Sequence, residues 1–292
     1  MNKREAILET AVSLFAEKGY NQTSMQEIAD GVGISKGSLY SFFTSKEDLM
    51  ISIYEHYQQL VFERVFIIGL DEELPPLQKL EKQFTVQFEG ILEYKAYMKM
   101  HMRGEAATNN KKISAMEHRM RGRLFSWLEK SLISLYGEEV SEYKWDLLFM
   151  IQSIYRTYMM LMVSEKAEIS PAKIGKHIVR QLEAMAKDFI RGNSRPILDE
   201  EMMKDFAVEM DKEGAFISFE KREQAWKTFY SKLKDLEKSE ASAIKEIANR
   251  ISEETRKSRP EMVVIKGLFA LLKENGEIAA AAKVLENEIL SE

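Results

Sequence analysis

Between Thr23 and Lys46 the chain gathers small, polar and cationic side chains at spacings that suit contact with a polyanionic groove. Ser35, Ser38 and Ser41 offer hydroxyls, Lys36 an ammonium, Tyr40 a ring with a polar tip, and Gly37 a bare backbone position. On a short exposed helix these groups fit the major groove of duplex DNA, where such helices dock. Lys46 falls in the first turn of the next expected helix. A cation there opposes the helix dipole by a few tenths of a kcal/mol, so an anionic partner such as a phosphate is the expected reason for it.

These residues need two short helices hinged at a glycine. Thr23 and Gln26 have the spacing of a capping box that opens the first helix, with Ile28, Ala29 and Val32 on its apolar face. Gly33 can supply the positive φ that stops it. Ser35 is the expected N-cap of the second helix, and Ile34 is placed to staple onto Leu39. Thr44 and Glu47 offer a further capping box for a long fourth helix. Ahead of all of these, Lys3 to Lys18 reads as helix one, ending at Gly19, with Ile7, Ala11, Leu14 and Phe15 turned inward.

Other chemistry finds no support. The chain has no cysteine, which excludes thiol catalysis, disulfides and cysteine-based zinc sites. His56, His101, His118 and His177 lack the i, i+4 pairing of a zinc helix, and no serine stands in a G-x-S-x-G elbow. Gly31, Gly33 and Gly37 have the wrong spacing for a dinucleotide loop and follow a helix. No catalytic residue, metal or cofactor is expected. The stretch Leu147 to Ser164 is apolar but carries Arg156 in its middle, so it reads as a core helix, with no membrane partner. A soluble, cytoplasmic protein is the expectation.

Charge is not what favours DNA. The whole chain carries −5, and residues 1–50 hold 5 Lys and Arg against 7 Asp and Glu, for −2. Locally the balance differs, because Lys36 and Lys46 are the only charges from Gly31 to Lys46. A salt-dependent interaction of modest slope is expected.

The first fifty residues resemble the DNA-binding domain of the TetR family of bacterial transcriptional regulators. The resemblance rests on Phe15-Ala16-Glu17-Lys18-Gly19-Tyr20, Thr23, Ile28-Ala29, Gly33-Ile34-Ser35-Lys36-Gly37-Ser38-Leu39-Tyr40, and Phe43 with Lys46 and Leu49. It implies an all-α homodimer on a palindromic double-stranded operator, acting as a repressor released by a hydrophobic or amphipathic small-molecule effector. It further implies phosphate contacts from Thr23 and Lys46, and groove contacts from Ser35, Lys36, Gly37, Ser38 and Tyr40. Ser24 and Phe43 are counted in the same interface, whereas Leu39 and Phe42 are expected to pack. The implied division is a helix-turn-helix domain at 1–46 and a helical ligand-binding and dimerisation domain at 47–192; residues 193–292 lie beyond the resemblance and read from their own apolar spacing as a helical extension. The last two helices of the middle domain would form the dimer bundle.

Ten of the 17 methionines fall between 98 and 185, among many aromatic residues. Methionine adapts to varied apolar shapes. The family resemblance implies an effector pocket in this region, with Phe88, Tyr94, Met98, His101, Met102, Met120, Phe125, Tyr155 and Met159 as its candidate residues. A ligand there is expected to move the helix near Tyr94–Arg103 and lever the long helix beginning at Lys46. Beyond the linker-like Arg191 to Pro196, the extension is highly charged but keeps apolar residues at helical spacing, and Val263 to Leu290 reads as a helical hairpin turning at Asn275-Gly276. A second reading follows from it: a helical interaction scaffold in which this extension recruits a partner and DNA binding is secondary.

Overall fold

The computed structural model describes residues 3–104, 110–164, 168–192, 195–210, 217–255 and 260–290, and among them there is no strand. Two compact units are formed, Lys3–Glu213 and Gly214–Glu292.

The first unit opens with α1 (Lys3–Lys18), α2 (Met25–Val32) and α3 (Lys36–Phe42). Ile7, Leu8, Ala11 and Phe15 of α1, Ile28 and Ala29 of α2, and Leu39 of α3 are fully buried together with Phe43, Leu49 and Ile53. α4 (Lys46–Leu70) then runs 25 residues, about 37 Å at 1.5 Å per residue, carrying the chain from this bundle into the body. The body consists of α5 (Pro76–Glu93), α6 (Lys95–Arg103), α7 (Lys111–Tyr136), a 3₁₀ turn at Glu138–Tyr143, α8 (Lys144–Val163) and α9 (Pro171–Gly192). α5 and α9 approach so closely that a Cβ on Gly175 would lie 2.6 Å from Thr85 Oγ1 and 2.9 Å from the Glu81 carbonyl. Only glycine fits there.

The chain does not leave the body at residue 193. Asp146, buried on α8, accepts hydrogen bonds from the backbone amides of Ile197 and Leu198 at 2.8 and 3.2 Å. Lys144 bridges Glu129 and Glu200. α10 (Glu200–Met210) then sets Phe206 against Phe125, Trp145 and Phe149. Residues 195–210 thus fold with the first unit, and the 193–292 range expected as one extension is divided.

The second unit holds α11 (Ile217–Lys232), a short 3₁₀ turn, α12 (Lys238–Glu254), α13 (Met262–Glu274) and α14 (Ala279–Leu290). Its core includes Trp226, Phe229, Ile244 and Ile251, which stand at helical spacing in the sequence, together with Phe269, Leu272, Ala282 and Leu285. Asn275 Oδ1 accepts from the amides of Glu277 and Ile278, turning α13 into α14 as the Asn-Gly pair suggests. Lys273 and Glu286, 2.8 Å apart, close the hairpin across its two arms.

Candidate nucleic-acid interface and the polar cluster behind it

The cap of α2 lies one residue later than the sequence reading placed it. Ser24 is the N-cap: its Oγ accepts from the Glu27 amide at 3.2 Å, and Glu27 Oε2 accepts from the Ser24 amide at 2.8 Å. Thr23 instead turns inward, only 2% exposed, and its hydroxyl donates to the Gly19 carbonyl at 2.9 Å. Gln26 is spent on Asp30. The physical reason is that the threonine methyl favours burial, whereas serine tolerates the exposed cap and glutamate closes the box. Lys18, 2.7 Å from Glu27, together with the Ser24 bonds holds the Glu27 carboxyl down at about 2.

Gly33 ends α2 at φ 74°, and its amide together with that of Ile34 caps the carbonyls of Ala29 and Asp30 in a Schellman arrangement. Ser35 then caps α3, accepting from the Ser38 amide at 3.1 Å. Leu39 and Phe43, four apart, point into the bundle, and the Arg4 guanidinium lies 5.3 Å over the Phe43 ring. Ser35, Lys36, Gly37, Tyr40 and Ser41 face outward, with Ser38 half-buried. Two expectations are reversed here. Phe43 is a core residue with no face to offer a ligand, whereas Phe42, expected to pack, is 38% exposed.

At the start of α4 the cap is Ser45, which accepts from the Asp48 amide, while the Asp48 carboxylate accepts from the amide and hydroxyl of Thr44. This replaces the Thr44/Glu47 box. Glu47 is turned away to Asn110 and Lys112 at the start of α7, and those partners lower its pKa. Lys46 reaches back to the turn before α2, donating to the Tyr20 and Thr23 carbonyls at 2.8 and 2.9 Å, with its Nζ 4.4 Å over the Tyr20 ring. Carbonyl oxygens and a ring face therefore explain a cation at this helix start. Burial pulls its pKa down, against Glu27, which raises it. An ammonium has three donors, so two carbonyls leave one proton for an anion.

Behind this bundle, α4, α6 and α7 bring a polar aromatic cluster together. Tyr54 donates to Glu117 Oε1 at 2.8 Å, and His101 Nδ1 lies 3.8 Å from the same oxygen. Tyr57 stacks on Tyr97 at 4.6 Å and meets Tyr94 edge-on at 5.1 Å. The Tyr54 ring stands edge-on to Tyr97 and His101. Burial lowers the His101 pKa, against the upward pull of Glu117, and Arg156 adds to the lowering. Burial pushes the Tyr54, Tyr57, Tyr97 and Tyr155 hydroxyls up.

The nine candidate effector residues differ in their contacts. Tyr94 and His101 join this cluster, and Phe88 pairs with Tyr155 at 4.8 Å. Phe125 belongs to the separate group closed by Phe206, with Phe149 5.2 Å away. Met98 and Met120 are buried, Met159 is half-buried, and Met102 is 39% exposed. Tyr54, Tyr57, Tyr97 and Glu117 stand in the cluster but outside the nine candidates. Tyr54 and Tyr57 at i, i+3 and Tyr97 and His101 at i, i+4 carried the signal, one aromatic face on each helix.

Ties between cluster and bundle include the Arg103 guanidinium at the end of α6, which donates to the Glu17 carbonyl of α1 at 3.3 Å, and Glu47 of α4, which holds Asn110 and Lys112 at the start of α7. Among the described residues no helix is long and apolar enough to cross a membrane, and no group of three His, Asp or Glu side chains could hold a metal ion.

Residues 7–53 match the family model described as bacterial regulatory proteins, tetR family. The chain is 28% identical over 285 residues to YuxN, an HTH-type transcriptional regulator of Bacillus subtilis (strain 168), covering 97% of this chain and 96% of that one. It is 31% identical over 207 residues to YerO of the same organism, covering 70% of each. It is also 30% identical over 129 residues, 44% of this chain and 64% of the relative, to the HTH-type transcriptional repressor KstR2 of Mycobacterium tuberculosis (strain H37Rv). The fold resembles the fatty acid degradation regulator FadR of Bacillus halodurans, with a TM-score of 0.52 at 18% identity, over 67% of this chain and 98% of that one. The capped two-helix hinge, the matching residues around it and these relatives lead to one conclusion: the chain belongs to the TetR family and is a helix-turn-helix transcriptional regulator.

Proposed function

We propose that this regulator is a homodimeric repressor that leaves a palindromic operator when an apolar small molecule enters the body behind α1–α3. The observation carrying the reading is the Arg103 bond to α1. α6 bears Tyr94's neighbour Tyr97 and His101, and its last turn is fastened to the bundle that presents α3. A ligand that displaces the aromatic cluster therefore pulls on α1, and the second tie, at Glu47, passes the same motion into the start of α4. Effector and operator then weaken each other by the same factor. The similarity to a named repressor supports the sign of the regulation.

In this reading Ser35, Lys36, Gly37, Ser38 and Tyr40 meet the groove, and Ser24 and the spare Lys46 proton meet phosphates. Thr23 and Phe43 act from beneath, by holding the two helices in place. α8 and α9 form the dimer contact, bringing two α3 helices about one turn of DNA apart. Replacing Lys36 and Tyr40 together by Ala tests it. Operator affinity in a gel shift is expected to fall about a hundredfold with the melting temperature unchanged. Unchanged binding would remove α3 from the interface.

A partner-recruiting role for the second unit is the other reading. It is favoured by its separate core and by the outward apolar side chains Val263 and Leu271, 85% and 50% exposed. Deleting 214–292 separates the two, because a repressor of the first kind keeps its operator affinity.

A further inference from the structure

We infer that α3 reads its operator chiefly through the 5-methyl groups of thymine, with Phe42 as the apolar reader, and not through paired hydrogen bonds to purine edges. The inference rests on the reading that α3 enters the major groove.

The side chains of α3 are Lys36, Gly37, Ser38, Leu39, Tyr40, Ser41 and Phe42. Arginine reads guanine and asparagine or glutamine reads adenine by two hydrogen bonds at once, and α3 contains none of these three. Serine hydroxyls accept and donate to any base, so they discriminate weakly. Lys36 supplies a mobile point charge without a fixed fork. Hydrogen bonding on this helix therefore supplies affinity more than sequence.

What remains is shape and apolar contact. Gly37 and Ser41 are four apart and form one outward crest of small residues. A Cβ built at Gly37 meets nothing within 4 Å, so no packing inside the chain calls for glycine there. Gly37 is the second residue of α3, and its bare backbone permits close approach to an external surface. Tyr40 and Phe42 flank the crest on opposite sides, 43% and 38% exposed. Tyr40 carries a hydroxyl that suits phosphate. Phe42 carries no polar atom, yet stays outside while its neighbours Leu39 and Phe43 are buried. In the major groove the apolar feature that differs between bases is the thymine methyl.

The test uses the full-length protein and a duplex operator selected from random sequence. Each thymine is replaced in turn by uracil, which removes only the methyl, and affinity is measured by fluorescence anisotropy at fixed salt. Uracil at one or two positions per half-site is expected to weaken binding about three- to fivefold each, the effect of exposing one methyl. Phe42→Ala, checked by thermal melting, is expected to weaken the thymine operator by a similar factor and to be indifferent to uracil at those positions. If uracil is neutral everywhere while the operator is still bound, the inference falls and the groove reading stands. If Phe42→Ala weakens thymine and uracil operators equally, the ring contacts sugar or backbone, and the inference falls. If no duplex is selected at all, the groove reading falls and takes the inference with it.

Discussion

In the bundle α1–α3 the capping groups bond to partners three residues away: Ser24 to Glu27, Ser35 to Ser38, Ser45 to Asp48. In the body, beside local caps such as Asn110 to Lys112 and Ile113, side-chain bonds join Tyr54 to Glu117 and Glu47 to Asn110, each across 63 residues. The bundle is thus specified largely by local rules of capping and turn geometry, to which Lys46 adds bonds across 26 and 23 residues, and its outer face is left with small polar side chains. The body is specified by which helices meet, and its polar groups lie inside. Local bonds form a rigid reading surface; long-range bonds make a structure whose parts can be moved against one another by something that enters between them.

If long-range packing holds the body, damage at one helix crossing should spread through it. Gly175→Ala is the sharpest case, because its Cβ would meet the Glu81 carbonyl and Thr85 amide, which are backbone and cannot swing aside. A loss of about 2 kcal/mol is expected, seen as a fall of roughly 4–8 °C in melting of the first unit. The operator affinity of the folded fraction should hardly change. Equal loss of affinity would show that bundle and body are not separable in this way.

Tyr54→Phe probes the cluster without opening a hole. It removes the hydroxyl that donates to Glu117, at an expected cost of about 1–2 kcal/mol. With that donor gone, Glu117 is freer to act on His101, so the His101 pKa should rise in an NMR titration. An unmoved His101 would mean that the two groups are electrically independent.

The sequence made the bundle legible because its signals are short. Helix one, the Gly33 stop and the Ser35 cap all stand in their expected places. The errors there were of register: Thr23 for Ser24 and Thr44 for Ser45, adjacent hydroxyl residues that propensity ranks almost equally; burial decides the first pair, whereas Thr44 is exposed and gives its hydroxyl to Asp48. Phe42 and Phe43 failed for the same reason, since period alone leaves either one facing in. The body was legible as helices but not as a site. Nothing near Phe125 announces Phe206, 81 positions later in a segment that looked like the start of an extension. Nothing near Tyr54 announces Glu117.

The corrected cap can be tested against the original one. Ser24→Ala removes the oxygen that receives the Glu27 amide and should cost about 1 kcal/mol. Gln26→Ala breaks only an exposed bond to Asp30 and should change stability by a few tenths. Chemical denaturation of the two variants checks this order, and a larger loss at Gln26 would restore the earlier register.

The smallest effect is the most specific to local wiring. Glu27 titrates at about 2 in the folded protein, against 4.5 ordinarily, because Lys18 and the Ser24 amide and hydroxyl favour its charged form. As the pH falls below about 4.5 the unfolded chain takes up this proton first, so the folded state loses the contribution progressively and has lost it near pH 2. The group is exposed, so solvent screens the pair and the slope is shallow. Glu27→Gln should flatten the acid limb of stability between pH 4.5 and 2 while leaving the slope above it unaltered. Lys18→Met should do part of the same, since it removes the ion pair but leaves both Ser24 bonds. If Lys18→Met flattens the limb as fully as Glu27→Gln, the ion pair and not the capping box holds the carboxylate. The reading surface would then owe its rigidity to a bond nine residues long, and the contrast with the body would narrow.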